Sequence, residues 1–132
     1  MNSLHWPAAV TILTVALLIV LSLVVGRTRA RTGVQAPATT GHPDFERAFR
    51  AQMNTLEASV AFLPSLWLFA LYASPAWSAA LGATWLVGRI GYAAGYLREA
   101  RRRHAGYLLS SFALLALAGG SAIGIARAFL AS

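Results

Sequence analysis

The chain has 132 residues, of which 58% are hydrophobic and only 11% charged, with a mean hydropathy of +0.60. That is too apolar for a water-soluble domain of this size and places the protein in a membrane. The net charge of +7 comes entirely from arginine, opposed only by Asp44, Glu46, Glu57 and Glu99. These arginines lie between apolar spans, where orientation and anionic headgroups account for them without a nucleic-acid partner.

There is no cysteine, which excludes a disulfide framework, a thiolate metal ligand and a protein thiol nucleophile. His5, His42 and His104 are too scattered along the chain to assemble a metal site. The reading is therefore a single all-α integral membrane domain over residues 1–132, with spans at about 6–27, 44–72, 76–101 and 105–127.

The first span is uncharged from Trp6 to Gly26, long enough to cross a hydrocarbon core of about 30 Å at about 1.5 Å per residue. It reads as a transmembrane helix and not as a cleaved signal, since no basic residue precedes the apolar run. Arg27, Arg29 and Arg31 end it, and a Gly- and Pro-containing loop follows. Asp44, after Pro43, is the expected N-cap of the second span. That span starts amphipathic and is uncharged from Ala58 to Tyr72, with Pro64 predicting a bend.

Ala73-Ser74-Pro75 is a short turn, making spans two and three antiparallel neighbours. The third span carries Gly82, Gly88, Gly91 and Gly95, small residues that predict close helix approach. The fourth is uncharged between Arg103 and Arg127. Trp6, Trp67, Trp77 and Trp85 read largely as interfacial aromatics.

Two stripes of polar residues run into these apolar spans. At 100° per residue, Arg47, Arg50, Asn54 and Glu57 share one face of the second helix. Arg89, Tyr92, Tyr96, Glu99 and Arg103 share one face of the third, provided that this helix runs on unbroken. Ionisable groups at membrane depth are costly unless paired or functional, so the stripes mark a site. Glu57 and Arg89 are the deepest charges, and they either pair with each other or serve a ligand.

Nine of the eleven arginines lie at the end holding the first and third loops. By the positive-inside rule those loops are cytoplasmic and both termini lie on the opposite side. Among Arg101, Arg102 and Arg103, only Arg103 returns to the Tyr96 face, seven residues on; the alternative is that all three simply mark the membrane end of the span.

The strings Phe45-Glu-Arg-Ala-Phe-Arg-Ala-Gln-Met-Asn-Thr-Leu-Glu57 and Gly88-Arg-Ile-Gly-Tyr-Ala-Ala-Gly-Tyr96 resemble the signature regions of the MAPEG family, the membrane-associated proteins of eicosanoid and glutathione metabolism. The likeness runs over nearly the whole chain and is strongest to the microsomal glutathione transferase branch. It implies a four-helix bundle assembled as a homotrimer, with glutathione as co-substrate bound between subunits. Carried over by position, it implies glutathione contacts at Arg29, Arg50, Gln52, Asn54, Glu57, Tyr92 and Tyr96, thiol activation by Arg103, and supporting roles for Arg47 and Arg89. Ala30, Ala58 and Ala94 stand where another branch carries Arg, Tyr and Gln, which bears on the second substrate.

The chemistry of the stripes agrees. The two carboxylates of glutathione call for arginine, its ammonium for a carboxylate such as Glu57, and its amides for Asn54. Lowering a thiol pKa of about 8.5 by about two units makes the nucleophilic thiolate dominant near neutrality, which takes ~2.7 kcal/mol of preferential stabilisation. A partly desolvated arginine supplies that as an electrostatic group and not as a base.

The expected function is a membrane glutathione transferase or peroxidase acting on a lipophilic electrophile or lipid hydroperoxide, with membrane lipids and other copies of the chain as partners and no metal. The alternatives are a non-catalytic lipid or glutathione scaffold of the same fold, and a four-span proton-coupled transporter using Glu57.

Overall fold

Residues 2–132 are described by a computed structural model in which four long helices account for nearly all of the chain. After a 3-10 turn at Asn2–Leu4 come α1 (His5–Thr32), α2 (Pro43–Tyr72), α3 (Pro75–Arg98), a second 3-10 turn (Ala100–Arg103) and α4 (His104–Ala131). The chain is an all-α membrane bundle. By length and composition α1, α2 and the segment Ala100–Ala131 can each cross a membrane. Helix α3 falls short on composition, being diluted by its glycines, Trp and Tyr residues and a buried Arg89.

Local chemistry sets the boundaries. Helix α1 ends at Gly33, whose φ of 75° is the left-handed conformation that suits a residue without Cβ. Helix α2 is capped by His42 and not by Asp44: the His42 Nδ1 accepts the Asp44 N–H at 3.1 Å and Pro43 takes the first helical position. That frees Asp44 to pair with Arg47 in its own first turn and with Arg31 of α1 at 3.3 Å. Ser74 caps α3 through its Oγ, which accepts the Trp77 N–H at 3.3 Å, again with Pro next.

Helix α3 stops at Arg98, three residues short of the expected end. Glu99 is extended (φ −159°, ψ 131°), and the 3-10 turn that follows carries Arg101 and Arg102, both ion-paired to Glu99. With Arg101 and Arg102 two and three residues beyond Glu99, closing this turn brings both guanidinium groups onto the one carboxylate.

Around the bundle, α1 packs on α2 and α3, and α4 packs on α3 and α2. The α1–α3 and α2–α4 seams therefore lie on opposite sides. The central core holds Val10, Phe62, Leu66, Trp85, Leu86, Ala113 and Leu117. Trp85 is only 1% exposed and stacks on Phe62 at 3.8 Å between ring centroids, so it is a core residue and not an interfacial one. Trp6 and Trp77 are exposed, while Trp67 donates to Thr11 Oγ1 at 3.1 Å.

Small residues bring the helices together as expected, except at one position. A Cβ on Gly88 would meet Ser110 N at 2.7 Å, and one on Gly82 would meet Leu66 Cδ1 at the same distance. Gly106 faces the backbone of Gly88 and Tyr92 across the α3–α4 seam. Gly91, by contrast, has nothing within 4 Å and takes no part in packing. Serine hydroxyls tie neighbouring helices through carbonyls, Ser78 to Leu66 O at 2.6 Å and Ser121 to Ser65 O at 3.1 Å, which costs little in lipid because both groups need partners there.

Candidate functional site

The α2–α4 seam opens into a cavity of about 230 Å³ whose floor is α3. Asn54 and Glu57 reach it from α2, Trp85 and Arg89 from α3, and Tyr107 and Ser110 from α4. Arg89 is 2% exposed, a cation held inside an apolar bundle without a carboxylate partner. Its Nη2 donates to Asn54 Oδ1 at 2.5 Å and to Thr55 Oγ1 at 3.3 Å, and its Nη1 donates to Ser110 Oγ at 3.3 Å. Its Nε–H is buried with no hydrogen-bond partner.

The structure bears on one of the two readings of the deep charges, the ion pair. Arg89 and Glu57 form no ion pair. Glu57 is exposed, lines the mouth of the same cavity, and has no ion-pair partner among the described residues. The arginine turns instead to the neutral oxygens of Asn54, Thr55 and Ser110. They lie inside the bundle, whereas Glu57 is one turn further along α2 and faces outward. Thr55, Ser110 and Tyr107 were not singled out in the sequence. The only signal for Ser110 was a hydroxyl within an uncharged span, which is common and unspecific.

From Arg89 a line of contacts runs towards the loop end of the bundle. The Arg89 guanidinium lies over the Tyr92 ring at 4.2 Å, Tyr92 meets Tyr96 edge-on at 5.6 Å, and Arg103 lies over Tyr96 at 5.1 Å. Arg103 is placed there by the 3-10 turn, its Nη1 donating to Ala100 O at 2.6 Å, and not by a continuous α3. The expected juxtaposition of Arg103 with Tyr96 is present, then, by a different backbone route. Arg50 is exposed on α2, about one turn before Asn54.

The remaining candidates lie apart from this line. Arg29 anchors the first loop: its Nη1 donates to Ala38 O at 2.8 Å and its guanidinium lies over Phe45 at 4.4 Å. Gln52 is half-buried and forms no side-chain hydrogen bond among the described residues. Arg47 is engaged by Asp44.

Comparison with known proteins identifies the family of the chain. The MAPEG family model matches residues 7–123. An uncharacterised protein of Synechocystis is 51% identical, the match covering 94% of this chain and 90% of that protein. Human microsomal glutathione S-transferase 2 is 41% identical over 93% of this chain and 84% of its own length. Bovine leukotriene C4 synthase is 38% identical over 93% of this chain and 82% of its own. A family match over nearly the whole chain, with relatives of this identity across both partners' lengths, is decisive: the chain belongs to the MAPEG family.

Proposed function

We propose that this protein is a glutathione-dependent transferase of the membrane, in which the tripeptide lies along the line from Asn54 and Glu57 to Arg103. The observation that carries the reading is the continuous run Arg89–Tyr92–Tyr96–Arg103, which sets a cation at each end of an aromatic wall. The names of its relatives, a glutathione S-transferase among them, supply the substrate class.

In this reading Glu57, exposed at the cavity mouth, takes the glutathione ammonium, and Asn54 presents its amide N–H groups to the peptide while Arg89 holds its oxygen. Arg50 and Arg29 meet the carboxylates as charge-assisted donors, and Gln52 offers its amide to the same tripeptide. Arg103 stabilises the thiolate. The thiolate then attacks an electrophilic carbon arriving from the bilayer: a carbon–sulfur bond forms, and the leaving group departs or a strained ring opens and is protonated by solvent. With a lipid hydroperoxide the thiolate attacks the O–O bond instead. That leaves an alcohol and a glutathione sulfenic acid, which a second glutathione converts to disulfide and water.

Arg29 sits on the first-loop side of the bundle, on Phe45, so one chain does not bring it to the α2–α4 cavity. A site that includes it requires the α1 of a neighbouring copy against that cavity, which supports an oligomer, and the resemblance makes that a homotrimer. Cytoplasmic placement of the first and third loops follows from their arginines and belongs to the same proposal.

The test is ultraviolet difference spectroscopy of purified protein on adding glutathione. Thiolate absorbance should appear for the wild type and be lost in Arg103→Ala while Arg102→Ala retains it. Conjugation assays with a panel of lipophilic electrophiles complete the test; glutathione binding with no turnover on any of them would favour the scaffold reading.

A further inference from the structure

The side of the bundle opposite the candidate site carries a second depression. It lies between α1 and α3 and is lined by Leu13, Leu17 and Val20 of the first helix and Leu86, Val87 and Ile90 of the third. It encloses about 510 Å³, every side chain lining it is apolar, and Leu13, Val20, Val87 and Ile90 are each more than half exposed.

At one end the same helix faces become cationic. Arg27 is seven residues beyond Val20, and Arg98 is eleven beyond Val87; both spacings return to the starting face at 100° per residue. The two helices run in the same direction, so both arginines emerge at the same end, about 11 Å past the groove at about 1.5 Å per residue. A smaller hollow of about 260 Å³, lined by Ala94, Gly95, Arg98 and Arg102, lies at that end of α3, beginning about one turn beyond Ile90. Most of the other cations here are engaged: Arg31 and Arg47 with Asp44, Arg101 and Arg102 with Glu99. Arg27 and Arg98 are exposed and form no ion pair among the described residues.

We propose that the α1–α3 groove binds an anionic phospholipid, with one acyl chain along the apolar groove and the headgroup phosphate held by Arg27 and Arg98. An apolar track that ends in two unopposed cations matches the polarity of that molecule. A zwitterionic lipid would bring its own cation to the arginines. A second protein copy would have to supply acids, and of the chain's four, Asp44 and Glu99 are already paired. Attraction of a basic residue near the headgroup layer is worth about fivefold in affinity, so the pair together accounts for about 30-fold.

The experiment is native mass spectrometry of the protein in neutral detergent, titrated with phosphatidylglycerol or phosphatidylcholine of identical acyl chains. Phosphatidylglycerol should bind preferentially, and the R27Q/R98Q double variant should lose about 30-fold in its affinity while phosphatidylcholine binding is unchanged. Arg127→Gln, at the opposite end of the bundle, should alter neither. Both substituted arginines are exposed, so the fold tolerates the change. Ala83→Phe, which fills the groove, should weaken both lipids. A phosphatidylglycerol bearing a diazirine in its acyl chain should cross-link within 13–20 and 83–90. Equal binding of the two lipids, a preference that survives in the double variant, or adducts confined to other segments would overturn the proposal. Absence of adducts because a second copy covers the groove would do the same.

Discussion

Replacing Arg89 with methionine separates what holds this bundle from what shapes its site. The side chain is 2% exposed and has no counter-ion, so its charge is taken out of water at an effective cost of several kcal/mol. Against that stand one short hydrogen bond to Asn54 at 2.5 Å, worth about 2 kcal/mol because the donor is charged, and a cation–π contact with Tyr92 worth about 1 kcal/mol. The bonds to Thr55 and Ser110, at 3.3 Å, together add about 1 kcal/mol. Gains of about 4 kcal/mol thus roughly offset the desolvation.

Methionine fills similar volume, and Ser110 keeps a local partner, donating to Tyr107 O at 3.1 Å, while Thr55 loses the one side-chain bond it has among the described residues. Arg89→Met should therefore shift folding stability by no more than about 1 kcal/mol. The Asn54 amide, released from its only short contact, should lose its fixed orientation, and glutathione affinity should fall about 3- to 10-fold. Arg89→Lys should recover only part of that, since a single ammonium cannot hold Asn54 and Ser110 together in the arginine's fork. Thermal unfolding in detergent and glutathione titration calorimetry read the two quantities separately. A loss of more than about 3 kcal/mol in stability would show that the arginine holds the helices together and would refute the reasoning. Unchanged glutathione affinity would refute its role in the site.

Other substitutions test the packing and the reaction. Gly88→Ala should cost about 1–3 kcal/mol because its Cβ meets the Ser110 backbone at 2.7 Å, whereas Gly91→Ala, with open space around it, should stabilise the helix by up to about 1 kcal/mol; melting temperatures of the pair decide. Trp85→Ala removes a buried, stacked ring and should cost about 3–5 kcal/mol in the same assay. His42→Ala removes the cap on α2 and should cost about 1 kcal/mol, visible as faster proteolysis or hydrogen exchange in the first turn around Asp44. Tyr96→Leu should leave the fold intact but lower turnover by loosening Arg103, with wild-type kcat/KM refuting the contact's importance.

Much of this was legible in the chain itself. The uncharged runs Trp6–Gly26 and Ala105–Ala126 determine a membrane protein, because hydrocarbon admits no unsatisfied backbone and every span must be helical, and the Ala73–Pro75 turn divides the apolar stretch between them into two more helices. The 3.6-residue period places Asn54 with Glu57 and Arg89 with Tyr92 and Tyr96, since those relations are local to one helix. The two signature strings identify the family for the same reason.

What the tertiary structure decided were relations between helices and at their ends. Spacing put Glu57 and Arg89 at similar depth, but only packing decides that Arg89 turns to Asn54, Thr55 and Ser110 while Glu57 faces outward. Helical projection placed Arg103 over the Tyr96 face by assuming an unbroken helix. The break at Glu99 reaches the same contact through a 3-10 turn, driven by charges that compete for one carboxylate. Trp85 and Gly91 exchanged the roles that composition suggested, the first buried and the second open, because residue type records polarity and size but not which face of a helix meets its neighbour.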